Sequence, residues 1–464
     1  MRRSRRCGKL SVNAIERYSA DFARIENALP GSSIGWLQDA RRDALSRFAE
    51  RGIPTTRDEN WKYTDVSSLE KRALIAAPSP DRADAATLAA SIERLALAAE
   101  YHLLVFVDGR YDRDLSWLGR LPAGATISSM AEVLERDPGL LEAHFAGEIW
   151  PHGAFGWLNT ALAADGAVIH LEADTVVEQP VHLLFLATGS ASAVHATNLI
   201  VAGNNAKVTV IEHYAGDDGA TYFTNALTHI VIGENANVAH YKLQQESAKA
   251  FHIAGIHAKQ AAHGRFASHS ISLGAQLARN DISTYLAAGS HCELNGLYLA
   301  DGRRHVDHHT RIDHAEPDAT SSEVYRGILD GGARGVFNGK VVVHQDAQHT
   351  DAKQENHNLL LSKNAEIDTK PELEIYADDV KCTHGATIGQ LDDAMLFYLR
   401  SRGLDEAAAR SLLIYAFAHD IIDRMALQPL RKRLERQLIE RLPLGSTEVS
   451  FSELLLDGQS GTGQ

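Results

Sequence analysis

The chain has 464 residues, 44% of them hydrophobic and 23% charged, with a formal net charge of −14. These values support a sizeable globular core, exclude global disorder and argue against a nucleic-acid-binding surface spread over the whole protein. The three cysteines, Cys7, Cys292 and Cys382, form no close pair, so neither a disulfide framework nor a paired-cysteine zinc site is expected.

The basic run Met1–Lys9 (MRRSRRCGK) reads as a floppy tail. Leu10–Tyr18 (LSVNAIERY) is not an apolar h-region, so no secretory signal is expected. The longest apolar runs, such as Leu103–Val107 and Leu183–Ala187, are too short to span a bilayer. With so few cysteines, the expectation is a soluble, cytoplasmic protein in a reducing compartment, without membrane partners.

From about Ser11 to Glu100 the pattern is helical. Ala14, Tyr18, Phe22 and Ile25 recur at helical spacing, Pro30-Gly-Ser-Ser33 breaks that helix, and Trp36–Arg51 begins another. A loop over Gly52–Leu69 holds the string Asn60-Trp-Lys-Tyr-Thr64. Asp81–Glu100 is Ala-rich and helical, and Tyr101–Tyr111 reads as a strand ending in an Asp-Gly turn.

From about Trp157 to Leu391 helical periodicity gives way to short β-rich runs: Ala167–Leu171, Val181–Leu186, Lys207–Tyr214, Thr228–Ile232, Asn237–Leu243 and Gly339–His344. Gly203-Asn-Asn-Ala-Lys-Val208 resembles Gly233-Glu-Asn-Ala-Asn-Val238, and Gly289-Ser-His-Cys292 falls close to two further steps on. A strand repeat of this size without helices suggests a solenoid of stacked β-coils, with a sandwich or barrel as alternatives. Helices return at Asp392. Asp393–Arg402 ends at Gly403 as C-cap, Asp405 N-caps Glu406–Met425, and Pro429–Leu442 makes a third, charged helix whose run Leu430–Arg436 reads as a solvated face. Gly458–Gln464 reads as a disordered tail. The organisation is therefore an N-terminal helical region with a short strand segment (1–156), a β-core (157–391) and a C-terminal helical domain with its tail (392–464).

The chain carries 23 histidines. His305, His308, His309 and His314 alternate with Asp301, Asp307 and Asp313, a mixture that can bind zinc, iron or nickel. Strand alternation splits such a string between two faces, so exposed histidines on turns and on the solvent face are the expectation. Asp378–Gly385 holds Cys382 and His384 two apart, on one face if the segment is a strand. Thiolate and imidazole are the side chains that ligate iron–sulfur clusters. Gly335–Lys340 (GVFNGK) imitates a phosphate loop, but Arg334 and Val341 break the motif, so no bound nucleotide is expected. No G-x-S-x-G elbow occurs.

A longer signature runs through Arg334-Gly-Val-Phe-Asn-Gly-Lys340, Gln354-Glu-Asn-His-Asn-Leu-Leu-Leu361, Asp368–Thr387 and Gly389-Gln-Leu-Asp392, and extends to Phe397-Tyr-Leu-Arg-Ser-Arg-Gly403. It closely resembles the core signature of the SufB/SufD family of iron–sulfur cluster assembly proteins. Asn60–Thr64 and Leu104–Gly109 resemble the family's N-terminal part, so the likeness touches all three zones. Two features favour the SufD branch over SufB. Clustered N-terminal cysteines are missing, and Ala418 stands where SufB is expected to place a functional Glu.

The resemblance implies a mainly β fold with α: a right-handed parallel β-helix between helical domains. It implies a non-enzymatic scaffold that forms a heterodimer with a SufB-like protein. A SufC-like ABC-type ATPase would dock at the C-terminal helices, with Phe397, Tyr398, Arg400, Arg402 and Gly403 as candidate contacts. A nascent iron–sulfur cluster would form transiently at the interface with SufB, and the functional histidine of SufD maps to His384. Cys382 is the less favoured ligand. The rival readings are a β-helix enzyme acting on polysaccharide, a SufB-type paralogue, and a metal enzyme built on His305–His314.

Overall fold

The computed structural model describes residues 4–72, 74–76, 85–145, 153–189 and 191–442. Helices α1 (Ser4–Ile25), α2 (Gly35–Arg51) and α3 (Ser67–Glu70) are followed by β1 (Ile75–Ala76) and α4 (Ala85–Leu95). Strands β2 (His102–Val107), β3 (Arg110–Trp117) and β4 (Ala125–Ser129) precede α5 (Met130–Arg136), α6 (Pro138–Phe145) and α7 (Ala154–Leu162). The run read as a floppy tail is instead helical from Ser4, because only Gly8 interrupts a series of adequate helix formers. Residues 1–3 and 81–84 and the tail Gly458–Gln464 lie outside the described residues.

Among the described residues sixteen strands then follow with no helix between them. They are β5 (Ala167–Leu171), β6 (Val181–Ala187), β7 (Ser192–Ala202), β8 (Lys207–Gly216), β9 (Phe223–Ile232), β10 (Asn237–Gln245), β11 (Phe251–Gln260) and β12 (Arg265–Ser272). The series continues with β13 (Leu277–Leu286), β14 (His291–Ala300), β15 (His305–His314), β16 (Thr320–Leu329), β17 (Arg334–Val343), β18 (Asp351–Leu360), β19 (Glu366–Ile375) and β20 (Lys381–Gly389). Odd strands from β5 to β19 stack in one parallel sheet and even strands from β6 to β20 in another, so each odd–even pair is one coil of a β-solenoid. Strands β2 and β4 extend these sheets at the N-terminal end, β2 pairing in parallel with β6 and β4 antiparallel with β5. The turn Asp108-Gly109 between β2 and β3 has positive φ at both residues, which suits a tight hairpin.

The repeat seen in the sequence is a stacked column. Lys207 is in register with Asn237, Asn237 with Arg265 and Arg265 with His291. The turn two residues before each of these positions is left-handed, at Asn205, Asn235, His263 and Gly289. Each of these four residues donates its backbone N–H to the coil above, as in Asn205 to Glu234 O at 2.8 Å and His263 to Ala288 O at 2.9 Å. Asn and His tolerate this conformation better than branched residues, and Gly adopts it freely, so the column keeps its shape while its residue types drift.

The main core fills the space between the two sheets, with Phe106, Phe185, Tyr214, Phe266, Tyr298, Tyr325 and Phe337 among its large members. Missing Cβ atoms make room for two of the rings: a Cβ on Gly296 would lie 2.1 Å from the Tyr325 ring, and one on Gly327 2.3 Å from that of Tyr298. Helices α8 (Asp393–Ser401), α9 (Glu406–Asp423) and α10 (Gln428–Arg441) close the chain. Asp392 and Asp405 cap α8 and α9, and Gly403 between them has φ +95°. Ile414, Ala418, Ile421, Leu430 and Leu434 of α9 and α10 pack with Tyr241, Leu243, Leu297 and Ile328 on the outer face of the even-strand sheet. In the charged run of α10, Arg433 turns inward from the solvated face and donates to the last carbonyls of α4, Arg94 O and Leu95 O.

Candidate functional site at the open end of the solenoid

The final coil, β19 and β20, is bonded on one side only: β19 to β17 and β20 to β18. Ion pairs fasten it. Arg334 meets Asp368 at 3.0 Å, Lys340 meets Glu374 at 2.6 Å, and His357 hydrogen-bonds Thr387 at 2.8 Å. Lys370 also reaches Glu59, at 3.0 Å, and so ties the coil to the N-terminal region. The segment that imitated a phosphate loop lies inside β17, where extended backbone pairs on both sides instead of cradling an anion. Pro371 stands in β19, an outermost strand, where a missing N–H is tolerated.

Alternation along β18 buries Ala352, Gln354 and Asn356. Register places Cys382, His384 and Ala386 of β20 beside them, so Cys382 and His384 do share the inward face. Cys382 is half-buried and packs against the main core, and burial raises its thiol pKa. His384 is exposed, because no further coil stacks on β20. Nearby apolar side chains are exposed as well: Tyr376 (63%) and Ile388 (53%) on the last coil, and Phe397 (75%) and Tyr398 (56%) on α8. Arg402 lies over the Tyr398 ring at 5.2 Å, Arg400 approaches Glu406 at 3.8 Å, and Gly403 ends the exposed ridge.

Behind this end the core is unusually polar. Glu212 accepts from His240 at 3.1 Å, Glu246 pairs with His252 at 2.8 Å, and Lys242 lies 2.7 Å from His252 and 3.0 Å from Asn280. Burial lowers the Lys242 pKa to about 8. Nearer the end, Tyr298 donates to Asn358, Asn358 to Asn356, and Thr369 of the last coil to Asn356. Beside them Gln354 donates to Glu323 at 2.7 Å, and burial pushes the Glu323 carboxyl up to about 7. Glu323 and Gln354 were missed by sequence reasoning. Gln354 opens a stretch of the quoted signature, but its inward position, like that of Glu323, depends on a register that could not be read.

The His305–His314 string occupies β15, and its expected exposure is overturned. His308 and His314 are buried, hydrogen-bonded to Ser272 and Ser321, while His305 and His309 are partly buried. A solenoid interior accepts imidazole when a neighbouring coil supplies a partner. Among the described residues no group of three or more His, Cys, Asp or Glu side chains is arranged to hold a metal ion. No helix among them is long and apolar enough to cross a membrane.

Residues 185–417 match the family model described as SUF system FeS cluster assembly, SufBD core domain, and residues 12–183 match the SufBD protein N-terminal region. The chain belongs to the SufB/SufD family. It is 36% identical over 417 residues to an iron–sulfur cluster assembly SufBD family protein of Synechocystis, covering 88% of this chain and 91% of that one. It is 34% identical over 412 residues to the iron–sulfur cluster assembly protein SufD of Escherichia coli, covering 87% and 92%. SufD of Bacillus subtilis is 24% identical over 430 residues. The core-domain match spans most of the parallel β-solenoid, including β17–β20 nearest the open end, and reaches into α9. Ala418 is fully buried in α9, where a glutamate would need a buried partner.

Proposed function

We propose that this chain is the SufD-type scaffold half of a SUF assembly complex and performs no catalysis of its own. The observation that carries the reading is the unfinished last coil, with two strand edges available for pairing and His384 exposed on the inward face between them. Such edges call for a partner, and a second solenoid of similar section is a suitable one. On this reading the partner is a SufB-like protein. His384 offers an imidazole nitrogen to the iron–sulfur cluster as it is built, with Cys382 as the less favoured donor. The cluster is cargo, assembled at the shared end and passed on.

In the same reading the exposed ridge Phe397–Gly403 with α9 receives a SufC-like ABC-type ATPase. Arg326 supports this arrangement: it bonds Phe417 O at 2.8 Å and Asp420 at 3.0 Å, and so couples α9 to β16. Movement imposed on α8 and α9 would therefore reach the coils behind the cluster site. The reading places the complex in the cytoplasm and assigns no nucleotide to this chain.

The test mixes the purified chain with a purified SufB-like protein and ATPase and follows mass by light scattering. A stable complex containing all three supports the proposal. A chain that ignores both partners refutes it.

A further inference from the structure

Gln354 and His384 are register partners in the adjacent parallel strands β18 and β20, and both belong to inward-facing rows. Gln354 is itself 1% exposed. Its Nε2 donates to Glu323 Oε2 at 2.7 Å, which commits the nitrogen end of the amide to the carboxylate. Above about pH 7, where Glu323 is ionised, the reverse amide orientation would set two oxygens against each other, so the tautomer is read there. The carbonyl end, Oε1, is buried and has no hydrogen-bond partner among the described residues. Leaving such an atom unpaired is costly, because its desolvation is not offset. The packing reserves space for this amide: a Cβ on Gly339 of the opposing sheet would lie 2.4 Å from Gln354 Nε2.

The imidazole of His384 carries an N–H in either neutral tautomer, and its backbone is the next one up from Gln354, a strand spacing of about 4.8 Å. We propose that Gln354 Oε1 accepts the N–H of the His384 ring, and that Glu323, by anchoring the other end of the amide, fixes which ring nitrogen faces the open end. Gln354 and Glu323 are thus positioning residues. Their structural effect on His384 stands by itself, while its consequence for assembly rests on the proposed ligand role of His384. Outer partners of this kind set tautomer and ring orientation at metal-binding histidines, and losing one typically costs 10–100-fold in affinity or activity.

The decisive measurement is long-range proton–nitrogen NMR of the full chain labelled with 15N-histidine, the His384 signals being identified by their loss in His384→Ala. A single tautomer is expected in the parent chain. Gln354→Leu is expected to release it to a mixture while the buried imidazoles keep their signals. If Gln354→Leu does not fold, Gln354→Asn withdraws the oxygen by one methylene and carries the same expectation. A tautomer mixture in the parent chain, or signals unchanged by removing the Gln354 oxygen, would overturn the proposal. The NMR result is independent of cluster binding, so its failure is distinguishable from failure of the ligand role, which the His384→Ala assembly assay reads.

Discussion

The guanidinium of Arg279 lies 3.9 Å from the centroid of the Trp61 ring. This contact explains the unusual string Asn60–Thr64, which docks the N-terminal region onto β13 and β15. Arg279 also donates to Asn60 O at 2.6 Å and to Asp307 at 2.8 Å, and Thr64 donates to the same carboxylate. Arg279 and Asp307 are both buried; the guanidinium also pairs with Asp281 at 3.0 Å, and the carboxylate also meets His309 at 3.1 Å. Arg279→Leu should cost about 3 kcal/mol, because it removes the permanent positive partner of a buried carboxylate and leaves it only Thr64 and His309. Urea unfolding at neutral pH measures this. A loss below ~1 kcal/mol would contradict the docking role.

Stability should fall steeply under mildly acidic conditions. Burial pushes His195, His213 and His308 down to about 3, and His269 and His314 to about 4. An unfolded histidine titrates near 6.5. Between those values the unfolded chain binds more protons, so the stability present above pH 6.5 is lost as pH falls. Each site contributes about 1.4 kcal/mol per pH unit. Glu323 acts with the opposite sign. Raised to about 7, it favours the fold at low pH, and that contribution is lost as pH rises from about 4.3 to 7. The urea midpoint should drop sharply between pH 6.5 and 5. A midpoint that is flat across this range would contradict the buried neutral histidines.

The left-handed column gives a local test. Asn235 has φ 55°, so Asn235→Gly should be nearly neutral, whereas Asn235→Val should cost roughly 1–2 kcal/mol for forcing a branched residue into that conformation. Thermal unfolding of the two variants separates them. Equal midpoints would mean the turn relaxes.

The solenoid was legible because its repeat is punctuated by turn residues. Gly203–Val208 and Gly233–Val238 stand one coil apart, and Asn204 of the first bonds Glu234 of the second. Helix limits at Asp405 and Gly403 were legible because caps have local chemistry. The polar interior was not. Whether His308 faces inward depends on register with Asn280 and Phe337, and no local pattern carries that information. Gln354 and Glu323 were hidden for the same reason. The helical start at Ser4 was missed because a basic run is read for its charge before its propensity.

The proposed ATPase docking is best probed on α8. Truncation at Asp392 would also strip α9 and α10 from Tyr241, Leu243, Leu297 and Ile328, exposing a long apolar strip and inviting aggregation. Phe397 and Tyr398 are exposed, so Phe397→Ala with Tyr398→Ala should leave stability within about 0.5 kcal/mol. The double variant should weaken ATPase binding at least tenfold by calorimetry. Unchanged affinity would move the docking surface elsewhere.

The central claim is that His384, standing on the inward face of the unfinished coil, is the group on which cluster assembly depends. Cys382 sits two residues away but leans into the core, and its burial disfavours the thiolate. The direct measurement scores His384→Ala and Cys382→Ala for iron–sulfur cluster formation in the reconstituted complex with the SufB-like protein and ATPase. Cluster formation should be lost with His384→Ala and retained with Cys382→Ala; retention with His384→Ala together with loss in Cys382→Ala would contradict the account and move the ligand role to the thiol.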